Sequence, residues 1–161
     1  MRTLWRISNH GDLAGLGGEK SDGRWHTAAP GKRIVYLSEH PAVALLEALA
    51  NLKGNPALFP ERYQLIEVQV PDGVHAAATT LTDSKGNAFD LNAAQQATRR
   101  AGDEWLRSKV SALAQVPAFP SPRSINLLLN PLHPDAAKAA IASRTWIKYD
   151  KRLFHAGPDP R

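Results

Sequence analysis

The chain has 161 residues, of which 43% are apolar and 22% charged, with no cysteine and a formal net charge of +5. That is chain enough for one domain with its own core, so residues 1–161 are expected to form a single unit. The lack of cysteine excludes disulfides and thiolate metal sites and suits a reducing cytoplasm, and no apolar run nears the roughly 20 residues a bilayer crossing needs.

Thr3 to Ile7 reads as a first strand, entered at once and without the apolar h-region of a signal peptide. Residues 8 to 23 are loop-like and carry Gly11, Gly15, Gly17, Gly18 and Gly23, which is not a dinucleotide fingerprint because Lys20 stands where a third glycine is needed. Arg33 to Ser38 is a second strand, rich in Ile, Val and Tyr. Pro41 opens a helix to about Lys53, with Leu45, Leu46, Leu49 and Leu52 as its main apolar stripe. Tyr63 to Val70 alternates as a strand and closes at Pro71-Asp-Gly73.

Residues 76 to 90 read as polar and turn-rich, and Leu91 to Ala101 as a helix ended by Gly102, with a short helix from Asp103 to Lys109 behind it. Ala112 to Val116 is a strand candidate, followed by a proline-broken loop from Pro117 to Pro122 and a short strand at Asn126 to Leu129. A helix from Asp135 to Ser143, a strand from Thr145 to Tyr149 and a frayed end from Gly157 to Arg161 complete the reading. Strands and short helices mix without a βαβ rhythm, so the class expected is α+β, a compact mixed sheet with short helices.

One side chain stands apart. Glu47 is the only charged or polar residue in Pro41-Ala-Val-Ala-Leu-Leu-Glu-Ala-Leu-Ala50. On a helix it projects away from the leucines, among Val43, Ala44 and Ala50. An apolar setting for a carboxylate is costly unless something pairs with it. It is either a helix-surface glutamate beside small alanines, or a carboxylate that binds a ribose hydroxyl and steadies an oxocarbenium ion as a glycosidic bond breaks.

Gly23-Arg24-Trp25-His26 lies upstream. Arg24 is either a structural ion-pair partner or a planar, bidentate grip on a diphosphate. Arg6 could do the same from the first strand, or pair with Glu47. Tyr36, Trp25 and Trp5 are each a core ring or a flat wall for a ligand ring. The histidines lack metal-site spacing and no GxSxG elbow is present, so metal catalysis and a Ser-His-Asp hydrolase are not indicated. The basic balance favours anionic partners, but the cations are scattered and no nucleic-acid motif is visible, so a DNA- or RNA-binding protein is the weakest reading.

Leu4-Trp-Arg-Ile-Ser8, Gly23-Arg-Trp-His26, Val35-Tyr36, Leu46-Glu-Ala-Leu49, Gly102-Asp-Glu-Trp-Leu106, Val116-Pro117, Asn126-Leu-Leu-Leu-Asn-Pro131 and His133-Pro134 occur in that order. The ordered set resembles the RES family, toxins of bacterial toxin–antitoxin systems, over residues 4 to about 153. The resemblance implies an ADP-ribosyltransferase-like fold around an NAD cleft. It also implies consumption of NAD as a substrate, by hydrolysis, phosphorolysis or transfer of ADP-ribose to a protein. By position it makes Glu47, Arg24 and Tyr36 the catalytic set, with Arg6, Gly23, Trp25 and Asn126 also facing NAD and no metal. It further implies a helical antitoxin partner in a hetero-oligomer, with DNA reached only through the antitoxin. The family serine expected after Val116-Pro117 is here Ala118. Either the hydroxyl is dispensed with, or Ser121 or Ser124 substitutes, or the chain is a weakened NAD-binding module.

Overall fold

A computed structural model describes residues 1–53, 55–78 and 95–154. Among the described residues, seven strands and two α-helices follow one another: β1 (Arg2–Ile7), β2 (Val35–Ser38), α1 (Pro41–Asn51), β3 (Arg62–Val70), β4 (Ala76–Ala78), α2 (Gln95–Ser108), β5 (Leu113–Ala118), β6 (Ser121–Leu129) and β7 (Ala140–Lys148). The strands form one mixed sheet in the order β4-β5-β6-β2-β1-β3-β7, with β4 and β5 parallel and every other neighbour antiparallel. This is the α+β class the sequence implies.

Alternation along the strands sorts the core onto the two faces of the sheet. Val35, Leu37, Leu113, Leu127 and Leu129 join Leu4, Ile66, Val68 and Val70 in one cluster. Their neighbours Ile34, Ala114, Val116 and Leu128 join Trp25, Trp105 and Leu106 in another, with Tyr36 and Phe119 packed against it. Tyr36, Ser38, Asn126 and Leu128 therefore share the face that α2 covers.

The sheet opens in its middle. β1 runs fully paired along β3, with six partners from Arg2↔Val70 to Ile7↔Leu65, but touches β2 in register only at Trp5↔Ser38. The end of β1 splays from β2 there, and α1 lies across β1, β2 and β6.

Several sequence expectations are corrected. Gly102 does not end a helix: α2 runs through it to Ser108, and residues 91–94 lie outside the described residues. A Cβ at Gly102 would sit 2.7 Å from the Trp25 carbonyl carbon and closer still to its oxygen, so the glycine is there for close approach. The expected loop from Pro117 to Pro122 is a tight hairpin, with β5 reaching Ala118 and β6 starting at Ser121. Pro117 is accommodated beside a register irregularity.

The helix expected from Asp135 to Ser143 is only a 3-10 turn, Pro134–Lys138, opened by His133, whose Nδ1 accepts from Asp135 N at 3.1 Å. The chain then enters β7, which absorbs the expected last strand. Ala76–Ala78, read as turn-rich, adds β4 to the sheet edge. On α1 the buried residues are Val43 and Ala44, while Leu46 is 42% exposed; the small-residue face, not the leucine stripe, meets the sheet. The frayed end expected from Gly157 to Arg161 lies outside the described residues.

Candidate active site

α1 begins where its sequence says it should. His40 caps it, its Nδ1 accepting from Ala42 N at 3.2 Å, and Pro41 takes the first turn, where no N–H is required. Two turns on, Glu47 reaches a cavity of about 360 Å³ beneath the opening of the sheet. Arg6 and Ile7 of β1, Tyr36 to Ser38 of β2, Gly23 to Trp25, Phe119 and Asn126 line it. Arg6, Gly23, Arg24, Trp25, Tyr36, Glu47 and Asn126 thus come together, whereas Trp5 is not among the lining residues.

Glu47 Oε1 accepts from Asn126 Nδ2 at 2.6 Å. Burial pushes its carboxyl above the usual carboxylate range, while Asn126, the Arg24 guanidinium and the Phe119 backbone N–H pull the other way. Arg24 lies over the Phe119 ring, 4.2 Å from Cζ to the centroid. Arg6 donates to Asp12 O at 3.0 Å and Ser8 Oγ at 2.9 Å, which decides its open pairing: it is held by its own loop. Burial lowers its pKa, with Asp12 opposing.

The Arg24 segment is fixed through its backbone, chiefly by α2. Arg99 Nε donates to Gly23 O at 2.9 Å, Thr98 Oγ1 donates to Arg24 O at 2.6 Å, and Asp103 Oδ1 accepts from Thr27 N at 3.0 Å. From the sheet, Tyr36 Oη accepts from Trp25 N at 3.1 Å and meets His26 Nδ1 at 2.8 Å. Which of the two donates in the Tyr36–His26 bond follows from the imidazole tautomer, since a phenol oxygen can accept twice or donate once. Burial lowers the His26 pKa and raises that of Tyr36, so both stay neutral at pH 7. Tyr36 is consequently both a half-buried ring and a brace for the loop. Trp25 is part of the core as well as of the cavity wall.

A second cavity of about 320 Å³ adjoins the first, lined by the glycine-rich segment from Gly15 to Gly23 with His10, Lys20 and His26. Arg6, Gly23 and Tyr36 line both cavities; Arg24 lines only the first. A Cβ on Gly23 would overlap Tyr36 Oη and lie 2.6 Å from His26 Nδ1.

Phe119, Ser38 and His26 were not assigned roles from the sequence. Phe119 sits in the segment read as a proline-broken loop, and Ser38 is an ordinary strand-end serine until β6 is placed beside it. Ala118 is fully buried. Ser121 and Ser124 bond to each other, Oγ to Oγ at 3.0 Å, and are not among the lining residues, so neither replaces the family hydroxyl in the cavity. Among the described residues no three His, Asp or Glu side chains gather as a metal site, and no helix is long and apolar enough to cross a membrane.

The mixed sheet thus opens over a half-buried carboxylate, with two arginines and a tyrosine lining the same cavity. The chain belongs to the RES domain family, whose model matches residues 3–150. It is 36% identical over 151 residues to a Pseudomonas putida protein named Toxin Res, covering 94% of this chain and 99% of that protein. It is 35% identical over 162 residues to a Sphingobium protein named Prs ADP-ribosylating toxin, covering 94% and 96%. Among solved structures it resembles the M. tuberculosis MbcT-MbcA toxin–antitoxin complex, with a TM-score of 0.71 over 91% of this chain and 84% of that one; at 15% identity this likeness concerns the fold alone.

Proposed function

We propose that this chain is the toxin of a toxin–antitoxin pair and that it consumes NAD, cleaving the bond between nicotinamide and ribose. The observation that carries the reading is Glu47: a carboxylate held in a cavity by Asn126, beside the Arg24 guanidinium. As that bond breaks, nicotinamide leaves with the bonding electrons and positive charge grows on the anomeric carbon and ring oxygen. A fixed carboxylate in a partly desolvated site stabilises that charge far better than water does. A nucleophile then adds to the cation and loses its proton. Water gives ADP-ribose, phosphate gives the 1-phosphate, and a protein side chain gives an ADP-ribosylated target. The relative named as an ADP-ribosylating toxin favours the last.

Two adjoining cavities suit a ligand with two ring systems joined by a diphosphate. Arg6 lines both and supports the assignment of the diphosphate grip to Arg6, with Arg24 over the reacting end beside Glu47. Tyr36 walls the nicotinamide ribose, and Gly23, which lines both cavities, lets Tyr36 Oη and His26 pack against the loop that faces the ligand. The partner is a helical antitoxin in a hetero-oligomer that reaches DNA only through that antitoxin, and the pair acts in the cytoplasm. The structural relative, a toxin–antitoxin complex, favours such a partner.

Incubating the purified chain with NAD and following nicotinamide by chromatography tests the activity. Release of nicotinamide supports it. NAD binding without release would instead favour a binding module weakened by the loss of the serine at Ala118.

A further inference from the structure

The cavity contains a hydroxyl at a place other than the family serine's. Ser38 ends β2 directly opposite Asn126 of β6, and the two are buried, 4% and 8% exposed. Ser38 Oγ donates to Asn126 Oδ1 at 2.7 Å, and Asn126 Nδ2 donates to Glu47 Oε1 at 2.6 Å. The three side chains come from three elements, β2, β6 and α1, so the chain of bonds depends on the tertiary fold.

A primary amide has a donor end and an acceptor end of nearly the same shape. Only one orientation sets a donor against an ionised carboxylate. Reversed, Oδ1 would face Glu47 Oε1, and the two acceptors would share no proton unless Glu47 were protonated. The acceptor-only carboxylate makes this choice, since a hydroxyl can serve either end; Ser38 holds the far end in place, and its proton on Oδ1 strengthens Nδ2–H as a donor to Glu47. Both ends of the amide are thereby engaged inside the protein, which is how a group that orients another behaves.

We propose, on the reading of Glu47 given above, that Ser38 and Asn126 are positioning residues: Ser38 fixes the Asn126 amide, and the amide holds Glu47 ionised and aimed at the anomeric carbon. The other groups that bear on the Glu47 charge are Arg24 from the loop after β1, the Phe119 N–H from the β5–β6 hairpin and Tyr36, two residues before Ser38 on β2. The bond that the Ser38 hydroxyl makes is to the amide, so a change there acts first on it.

The test compares Ser38→Ala with Ser38→Thr, which keeps the hydroxyl, by two readouts. The first is the titration of the Glu47 carboxyl by ¹³C NMR, assigned with Glu47→Gln, and it needs no turnover. The second is the pH profile of nicotinamide release. Losing an ordinary hydrogen bond changes an equilibrium by roughly two- to tenfold. Ser38→Ala is therefore expected to raise the Glu47 titration midpoint by about 0.3 to 1 pH unit. The acid limb of the rate profile should move by the same amount, with KM unchanged and Ser38→Thr restoring the parent values. If Ser38→Ala does not fold, Ser38→Cys gives the comparison with similar volume and a much weaker donor. An unmoved Glu47 midpoint in Ser38→Ala, or in Ser38→Cys, overturns the proposal. If the parent releases no nicotinamide, the enzymatic reading fails, and the NMR titration still decides whether Ser38 governs Glu47.

Discussion

Replacing Gly102 with alanine separates two physical effects of opposite sign. In a helix interior alanine is better than glycine by about 1 kcal/mol, so α2 on its own would gain. In the folded chain the new Cβ meets the Trp25 carbonyl, with the carbonyl carbon at 2.7 Å and Trp25 Cβ at 3.1 Å. Ordinary carbon contacts need about 3.5 Å or more, and the carbonyl oxygen lies nearer still, so α2 must withdraw by more than about 1 Å. That withdrawal strains the Thr98 and Arg99 hydrogen bonds to the Arg24 and Gly23 carbonyls. Overpacking costs about 1–3 kcal/mol and each weakened bond about 1, leaving a net loss of about 3 kcal/mol after the helix gain. For a chain of this length that lowers Tm by roughly 6–12 °C. Thermal unfolding followed by circular dichroism measures it, and nicotinamide release measured well below Tm should fall too, because the Arg24 loop loses its brace. A Tm equal to or above the parent's would refute the close-approach explanation and restore Gly102 as a propensity effect alone.

The Glu47 pKa is raised in the fold, so between the unfolded and folded values the folded state binds more protons and stability falls as pH rises. Glu47→Gln should therefore be more stable than the parent at pH 7, with the advantage vanishing once pH drops below the ordinary carboxylate range; urea unfolding at pH 4 and pH 7 checks this. Gly23→Ala forces a Cβ onto Tyr36 Oη and His26 Nδ1, and should cost about 1–3 kcal/mol of stability together with most turnover, measured by calorimetry and nicotinamide release. Arg6→Ala should raise the KM for NAD by roughly tenfold or more, the worth of a charge-assisted bond, whereas Arg24→Ala should act mainly on kcat; steady-state kinetics of the pair distinguishes them.

The fold class and the residues that line the cavity were legible in the sequence, while the bounds of several elements were not. Glu47 stands out because an acid among alanines and leucines is energetically conspicuous, and Arg24 and Tyr36 follow from the ordered segments. Ser38 and Phe119 were not legible as site residues, since each acquires its role from a neighbour far along the chain: Asn126 for Ser38, Arg24 for Phe119. The fold errors share one cause. Gly102 was read by its local meaning as a helix stop, but its reason is a tertiary contact with Trp25. The alanines of Ala136 to Ala142 have helical propensity, yet Ala140 and Ile141 pair with Gln69 and Val68 on β3, and partner strands override propensity. On α1 the small residues around Glu47 imply a face with another element against it, and Val43 and Ala44 are the residues buried there.

The most direct measurement is the rate of nicotinamide release from NAD by the parent and by Glu47→Gln, each shown to be folded. Glutamine keeps the size of the side chain and removes its charge. A carboxylate that steadies the departing cation predicts a fall of roughly a hundredfold or more, the usual scale for removing one such electrostatic contact. Equal rates in the two proteins would contradict it.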